Sequence, residues 1–238
     1  MSKRPIYKRI LIKLSGEAMA GEGGVGIDPP VLQELAEEIE GLHGLAIEIA
    51  VVIGGGNLVR GAQSTAHGLE RVTADYVGML TTIINGLALR DVLERRGVPI
   101  AVQSAVPVGE IVAPYGRSHA LSALKEGKVV IFVGGTGNPY FTTDTAAALR
   151  ALEIGAEIIL KATKVDGVYD ADPLENPAAV RFDAISYQEV LQRRLSVMDA
   201  SAICLCMDHQ LPLVVFNIGV RGSMRRIILG EKEGTLIS

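Results

Sequence analysis

Short runs of apolar, often β-branched residues alternate with stretches of helical periodicity along the whole chain. The runs at 10–14, 47–53, 98–102, 129–133, 157–161 and 213–216 predict β-strands. Several are almost continuously apolar, which suits parallel strands covered on both faces. Between the first two, Asp28-Pro29-Pro30 supplies an N-cap residue followed by prolines in the first turn. Leu32, Leu35, Ala36 and Ile39 then recur at the spacing of one helix face, predicting a helix over 31–42. Further helices are expected over about 72–96, 143–154, 187–194, 199–210 and 222–230. Alternating β and α elements predict an α/β fold, a mainly parallel sheet with helices on both sides. The last apolar stretch, 234–237, predicts a short edge strand.

Two segments stand out against this pattern. Between residues 76 and 93 apolar side chains cover almost every helix face, as in a helix that is buried all round or lies in a subunit interface. Residues 163–184 form the only long irregular stretch, with Pro173, Pro177 and several acids, and such a loop points to function. No linker and no repeat interrupts the rest, so residues 1–238 read as one domain.

Composition narrows the class. With 238 residues and 48% apolar content, the chain can bury a full core without staples. Two cysteines a residue apart make no disulfide framework, which suits the reducing cytoplasm. The basic, then apolar opening is broken by Lys13 and lacks a cleavage pattern, so no leader is expected. No run of about 20 residues is free of charge, so no membrane span is expected. The net charge of −4 argues against a general nucleic-acid coat. The absence of Trp among only ten aromatic residues argues against base-stacking platforms. Cys204, Cys206 and His209 lack zinc spacing and read as part of a core-facing helix.

The glycines change the picture. Ser15-Gly16, Gly54-Gly55-Gly56-Asn57 and Gly134-Gly135-Thr136-Gly137-Asn138 each follow a predicted strand. In a parallel sheet such turns share the carboxyl edge, where ligands bind. There glycine lets backbone N–H groups approach phosphate oxygens, and the next helix offers its positive end. No P-loop and no protein-kinase signature fits. A G-x-G-x-x-G stands at Gly21, Gly23 and Gly26, but it is too far from the first strand for a dinucleotide fold. Lys13 and Lys161 end apolar strands, and Arg60 lies one turn beyond the triple glycine. A lysine in an apolar strand is costly to bury unless it meets an anion. Three such cations would suit a polyphosphate and stabilise charge moving between phosphates. Thr143 or Asp144 caps the helix that follows, and Asp144 could also hold a lysine.

The runs Lys13-Leu14-Ser15-Gly16-Glu17, Val51 to Asn57, Thr136 to Asp144 and Lys161 to Pro173 resemble the bacterial uridylate kinase family of the amino acid kinase superfamily. The resemblance extends over essentially the whole chain. It implies a three-layer α/β/α sandwich and phosphoryl transfer from ATP to UMP with Mg²⁺. In that reading Lys13, Asp144 and Lys161 are catalytic, with Asp144 orienting the lysines. Lys13, Leu14, Ser15, Gly16, Gly56 and Arg60 hold the ATP phosphates, and Thr163, Tyr169 and Asp172 its adenosine side. UMP is met by Gly55, Asp75, Thr136, Gly137, Asn138, Pro139, Tyr140, Phe141, Thr142 and Thr143. Gly21, Glu22, Gly23, Gly24, Val25 and Gly26 match a loop linked to GTP activation. UTP is the implied inhibitor, and a cytoplasmic homohexamer the implied assembly. No metal ligand is assigned.

The chemistry is self-consistent. A phosphate acceptor is already anionic, so no strong general base is needed. Two alternatives remain: an enzyme of the same superfamily with a carboxylate or carbamate acceptor, and a nucleotide-sensing regulator that does no chemistry. Neither nucleic acid nor membrane is expected as a partner.

Overall fold

The computed structural model describes residues 4–21, 23–58, 68–173, 175–176 and 178–238. Nine strands form one sheet in the order β4-β3-β5-β2-β1-β6-β8-β9-β7. They are β1 (Arg9–Leu14), β2 (Glu48–Ile53), β3 (Ile100–Ser104), β4 (Ala113–Pro114), β5 (Val129–Val133), β6 (Ile158–Thr163), β7 (Ala184–Ile185), β8 (Leu213–Asn217) and β9 (Thr235–Ile237). All neighbours run parallel except β8 and β9. The C-terminal strand is not at the edge: β7 pairs with its outer side and covers it.

Helices α1 (Pro29–His43), α2 (Arg71–Arg95) and α7 (Ser223–Ile228) pack on one face, against Ile10, Ile12 and Leu14. Helices α3 (Arg117–Lys125), α4 (Thr143–Ile154), α5 (Tyr187–Gln192) and α6 (Ala200–Asp208) cover the other, against Leu11, Ala50 and Val52. The expected three layers are present. Alternate residues of β1 serve opposite faces, so Lys13 falls on the α4 side. Ala146, Ala147 and Ala151 are fully or almost fully buried, and these small residues let α4 lie close to the central strands.

The strand expected over 98–102 begins later. Val98 donates its N–H to Leu93 in the turn after α2, and Pro99 has no N–H to give. Helix α2 is long and apolar enough to cross a membrane by composition. It lies on the sheet instead, with Met79, Ile83, Leu89 and Leu93 buried and Tyr76, Leu80 and Ile84 about half exposed. It is therefore not buried all round. Packing against one sheet face uses one side of a helix and leaves the other open. Cys206 is fully buried on α6, as a core-facing helix requires, and burial pushes its thiol up to about 11.

Candidate functional site

β1 and β6 are direct neighbours, and Lys13 pairs in register with Lys161. Two ammonium groups thus arise side by side from the middle of the sheet, on the same face. Asp144, in the first turn of α4, lies between them. The Lys13 ammonium forms an ion pair with Oδ1 at 2.7 Å. The Lys161 ammonium donates to Oδ2 at 2.6 Å and also to the Val197 carbonyl. The side chains of Lys13, Lys161 and Asp144 are 9%, 12% and 15% exposed. Burial works to raise the Asp144 pKa, but the Lys13 and then the Lys161 charge outweigh it and hold the carboxyl below its usual range. Burial likewise pushes the Lys161 ammonium down, with Asp144 opposing it and Lys13 adding to it. Two cations and one anion leave the group with one positive charge in a largely desolvated place.

The glycine turns stand beside this triad. Gly54 donates its N–H to the Leu14 carbonyl at 2.8 Å, which joins the turns after β1 and β2. A Cβ on Gly16 would come within 2.5 Å of the Gly56 nitrogen, so only glycine permits that approach. Gly55 packs against Gly78 and Thr81 of α2, and Gly134 donates its N–H to Thr82 Oγ1 at 2.7 Å. The turns after β1, β2 and β5 therefore form one continuous edge with α2 as its brace. The same helix carries the buried Asn85, which exchanges amide hydrogen bonds with Asn57 at 2.7 and 3.0 Å and donates to the Gly54 carbonyl at 2.9 Å.

Residues 136–143 lead from this edge into α4. Thr136 Oγ1 accepts from the Asn138 N–H, and Tyr140 takes a left-handed φ of 71°. The Tyr140 N–H donates to Asp75 Oδ2 at 2.8 Å, which ties the turn to the start of α2. Pro139 is partly buried, whereas the rings of Tyr140 and Phe141 are exposed. Thr142 caps α4, its Oγ1 accepting from the Asp144 and Thr145 N–H groups, and Thr143 opens that helix.

On the β6 side, Thr163, Tyr169 and Asp172 line a cleft of about 480 Å³. Val197, whose carbonyl holds Lys161, lines the same cleft. Tyr169 also pairs with Arg181 across an isolated antiparallel bridge, so the irregular 163–184 stretch folds back on itself. In the 21–26 stretch, Gly26 is doubly joined to Asn57: Gly26 N–H to Asn57 O at 2.9 Å and Asn57 Nδ2 to Gly26 O at 2.7 Å. Gly21 holds a φ of 58° against the Asp28 carboxylate, Gly23 and Gly24 have open space where a Cβ would stand, and Val25 is exposed. Arg60 and Glu22 lie outside the described residues.

One participant was not foreseen. Asp199 accepts from the Thr145 hydroxyl at 2.9 Å and from the Thr142 hydroxyl, and caps α6 through the Ala202 N–H at 3.1 Å. It binds the first turn of α4 to the segment that fixes Lys161. In the sequence Asp199 marks only the start of the helix expected over 199–210, and its match to a site role is too weak to assign one.

This edge can hold two anions. It offers backbone N–H groups, the N-terminus of the 12-residue α4, and a buried net positive charge. Residues 8–217 match the amino acid kinase family. The chain is 54% identical to the uridylate kinase of Alcanivorax borkumensis over 99% of its own length and 93% of that protein. It is 56% identical to the uridylate kinase of Marinobacter nauticus over 98% and 97%. Among solved structures, UMP kinase from Bacillus anthracis superposes with a TM-score of 0.95 at 43% identity, covering 99% of this chain and 97% of that one. UMP kinase from Ureaplasma parvum gives 0.91 at 38% identity over the whole of both chains.

Proposed function

The chain belongs to the amino acid kinase family, and on that premise we infer that it is a uridylate kinase, transferring the γ-phosphoryl group of ATP to UMP to give ADP and UDP. The observation that carries the mechanism is the buried Lys13–Asp144–Lys161 group at the glycine-lined edge. ATP phosphates lie along Lys13, Leu14, Ser15, Gly16 and Gly56, with the adenosine in the cleft of Thr163, Tyr169 and Asp172; Arg60, outside the described residues, is assigned to the same phosphates by the family resemblance alone. UMP takes the other side, against Gly55, Asp75 and residues 136–143. The transferring group is then flanked by both lysines, which neutralise the charge that spreads over its oxygens. Asp144 bridges the two ammonium groups and offsets their mutual repulsion. Holding two repelling anions in line is the main task, and a preorganised cation pair performs it without a general base.

Magnesium enters with the nucleotide. Among the described residues no three metal-ligating side chains converge, and the Asp144 carboxylate is committed to lysines. Phosphate oxygens are the natural ligands, so the donor substrate is MgATP.

The reading extends to regulation and assembly. The Gly21–Gly26 loop is joined to the catalytic edge through Asn57, which supports a route for GTP activation, with UTP as inhibitor. The exposed Tyr76, Leu80 and Ile84 of α2 support self-association into a homohexamer. The two free cysteines are consistent with a cytoplasmic enzyme.

A coupled ADP-release assay with MgATP tests the function against UMP, CMP, aspartate and carbamate. Turnover with UMP is expected. Phosphorylation of aspartate or carbamate alone would replace the acceptor, and no turnover with any of them would favour a regulator. Sedimentation mass tests the hexamer.

A further inference from the structure

Arg71 is badly placed for the stability of its own helix. It is the first residue of α2, where the helix end is already positive, and it precedes its partner Asp75 by one turn, the weaker order for such a pair. Its side chain is about half exposed, so burial does not account for it. Residues that break a local rule tend to be committed elsewhere.

Its contacts show where. Arg71 Nε donates to Asp75 Oδ2 at 2.8 Å, and the same oxygen accepts the Tyr140 N–H at 2.8 Å. The Arg71 guanidinium also lies over the Tyr140 ring, 5.6 Å from its centre. Tyr140 is held at a φ of 71°, a conformation that costs a residue bearing a Cβ. One guanidinium therefore grips both ends of the link between α2 and the 136–143 turn: the carboxylate by its Nε, the tyrosine by its face.

We propose that Arg71 is a positioning residue for the acceptor nucleotide. It fixes the Asp75 rotamer so that Oδ2 ties down the turn while Oδ1 remains for the ligand, and it stabilises the left-handed Tyr140 that shapes the turn. The inference rests on the reading of Asp75 and residues 136–143 as the UMP side. Arg71 acts through these groups and needs no contact with UMP.

Steady-state kinetics of Arg71→Ala, Arg71→Lys, Asp75→Asn and the double variant R71A/D75N test it. Arg71→Ala should raise the KM for UMP by about tenfold, the effect expected of one charge-assisted hydrogen bond. The KM for ATP and kcat should stay near their original values. Lysine should recover only part of the loss, because an ammonium cannot stack on the ring as a planar fork does. The double variant should be no worse than Asp75→Asn alone, as for residues acting in one unit. The melting temperature of Arg71→Ala should change little, since removing a cation from the positive helix end offsets the lost ion pair to Asp75. An unchanged UMP KM in Arg71→Ala, beside a raised one in Asp75→Asn, would overturn the inference and leave the UMP side standing. An unchanged KM in Asp75→Asn would remove the UMP side and the inference with it. An equal rise of both nucleotide KM values would mark Arg71 as merely structural.

Discussion

The two halves of the carboxyl edge are built on opposite plans. On the side we propose for the phosphate donor the charges sit on central strands and a buried helix end, each side chain at most 15% exposed. On the side we propose for the acceptor the groups sit on a helix start and a turn whose Tyr140 is 67% exposed. The contrast follows from what each half must do. Charge neutralisation is strongest where water is excluded and the groups cannot reorient. A nucleotide that must enter and leave needs a surface that opens, and a turn supplies one. Substitutions on the buried side should therefore lower kcat, and those on the exposed side should raise KM.

The largest effect is expected at Asp144. Asp144→Asn leaves two buried ammonium groups facing each other without a carboxylate. Loss of one partner from a buried ionic group costs about 3–5 kcal/mol of stability. The fall in kcat should reach at least about 10²-fold, as for a lost oxyanion donor. The substitution also changes the acid limb of stability. A carboxyl held below its usual range in the folded state stabilises the fold above the unfolded pKa of about 3.9. That stabilisation is lost as pH falls through the depressed folded value. Urea midpoints measured as pH falls through that range should drop less steeply in Asp144→Asn than in the original chain. Equal slopes would show that Asp144 is not held ionised by the lysines.

Lys13→Ala comes next. The remaining lysine and carboxylate form a neutral pair, so folding is less perturbed. Turnover should fall about 10²–10³-fold with the KM for UMP little changed. A rise in KM without a fall in kcat would place Lys13 on the acceptor side and blur the division.

Much of this arrangement was legible in the chain. Uninterrupted apolar runs gave the central strands, and Asp28 before its two prolines gave the start of α1. The start of α4 was legible too, but its cap is Thr142, one residue before the expected Thr143 or Asp144. The three glycine turns on one edge follow from parallel strands. Missing was adjacency. That Lys13 and Lys161 stand side by side depends on β6 lying next to β1, two strands far apart in the chain that are neighbours in only one of several possible strand orders. Helix α3 was missed because Gly116 gives no side-chain cap and only Ala120, Ala123 and Leu124 are buried on it. The two-residue strands β4 and β7 carry too few positions for any period. Gln103 and Ser104 are polar, yet they end β3 buried, with Gln103 accepting from Gly116 and Ser104 bonded to Val106. Asp199 shows the same limit: a helix start is visible in sequence, whereas Thr145, whose hydroxyl it holds, lies 54 residues away in the chain.

Asp199→Ala should act on the buried side at one remove. It removes an N-cap, worth about 1 kcal/mol, and leaves the Thr145 hydroxyl without its acceptor. Because α4 then shifts relative to Lys161, kcat should fall several-fold, less than for Lys13→Ala, with the UMP KM nearly constant. Asp199→Asn keeps an acceptor oxygen and should recover part of the loss. A full effect on stability with no change in kcat would make Asp199 a cap alone.

The smallest effect on turnover is expected at the far end of α4. There Glu153 Oε2 accepts from the Tyr115 hydroxyl and from Arg150 Nη1, both at 2.5 Å, and the Arg150 guanidinium lies 3.5 Å from the Tyr115 ring centre. Burial foremost, and then the hydrogen bond to Glu153, push the Tyr115 phenol up to about 12, with Arg150 opposing. Glu153→Gln removes the negative charge that disfavours the phenolate and leaves Arg150 to favour it. The phenol should therefore titrate lower, read by absorbance in the ultraviolet. Stability should fall by about 1–3 kcal/mol, since Arg150 is only 5% exposed and loses its carboxylate. Turnover per folded molecule should stay within about twofold, because the helix end that carries Asp144 is fixed separately by Thr142 and Asp199. A large loss of kcat in Glu153→Gln would mean that α4 transmits strain along its length. The donor side would then owe its rigidity to the whole helix, and the contrast with the acceptor turn would rest on packing more than on the local clasp.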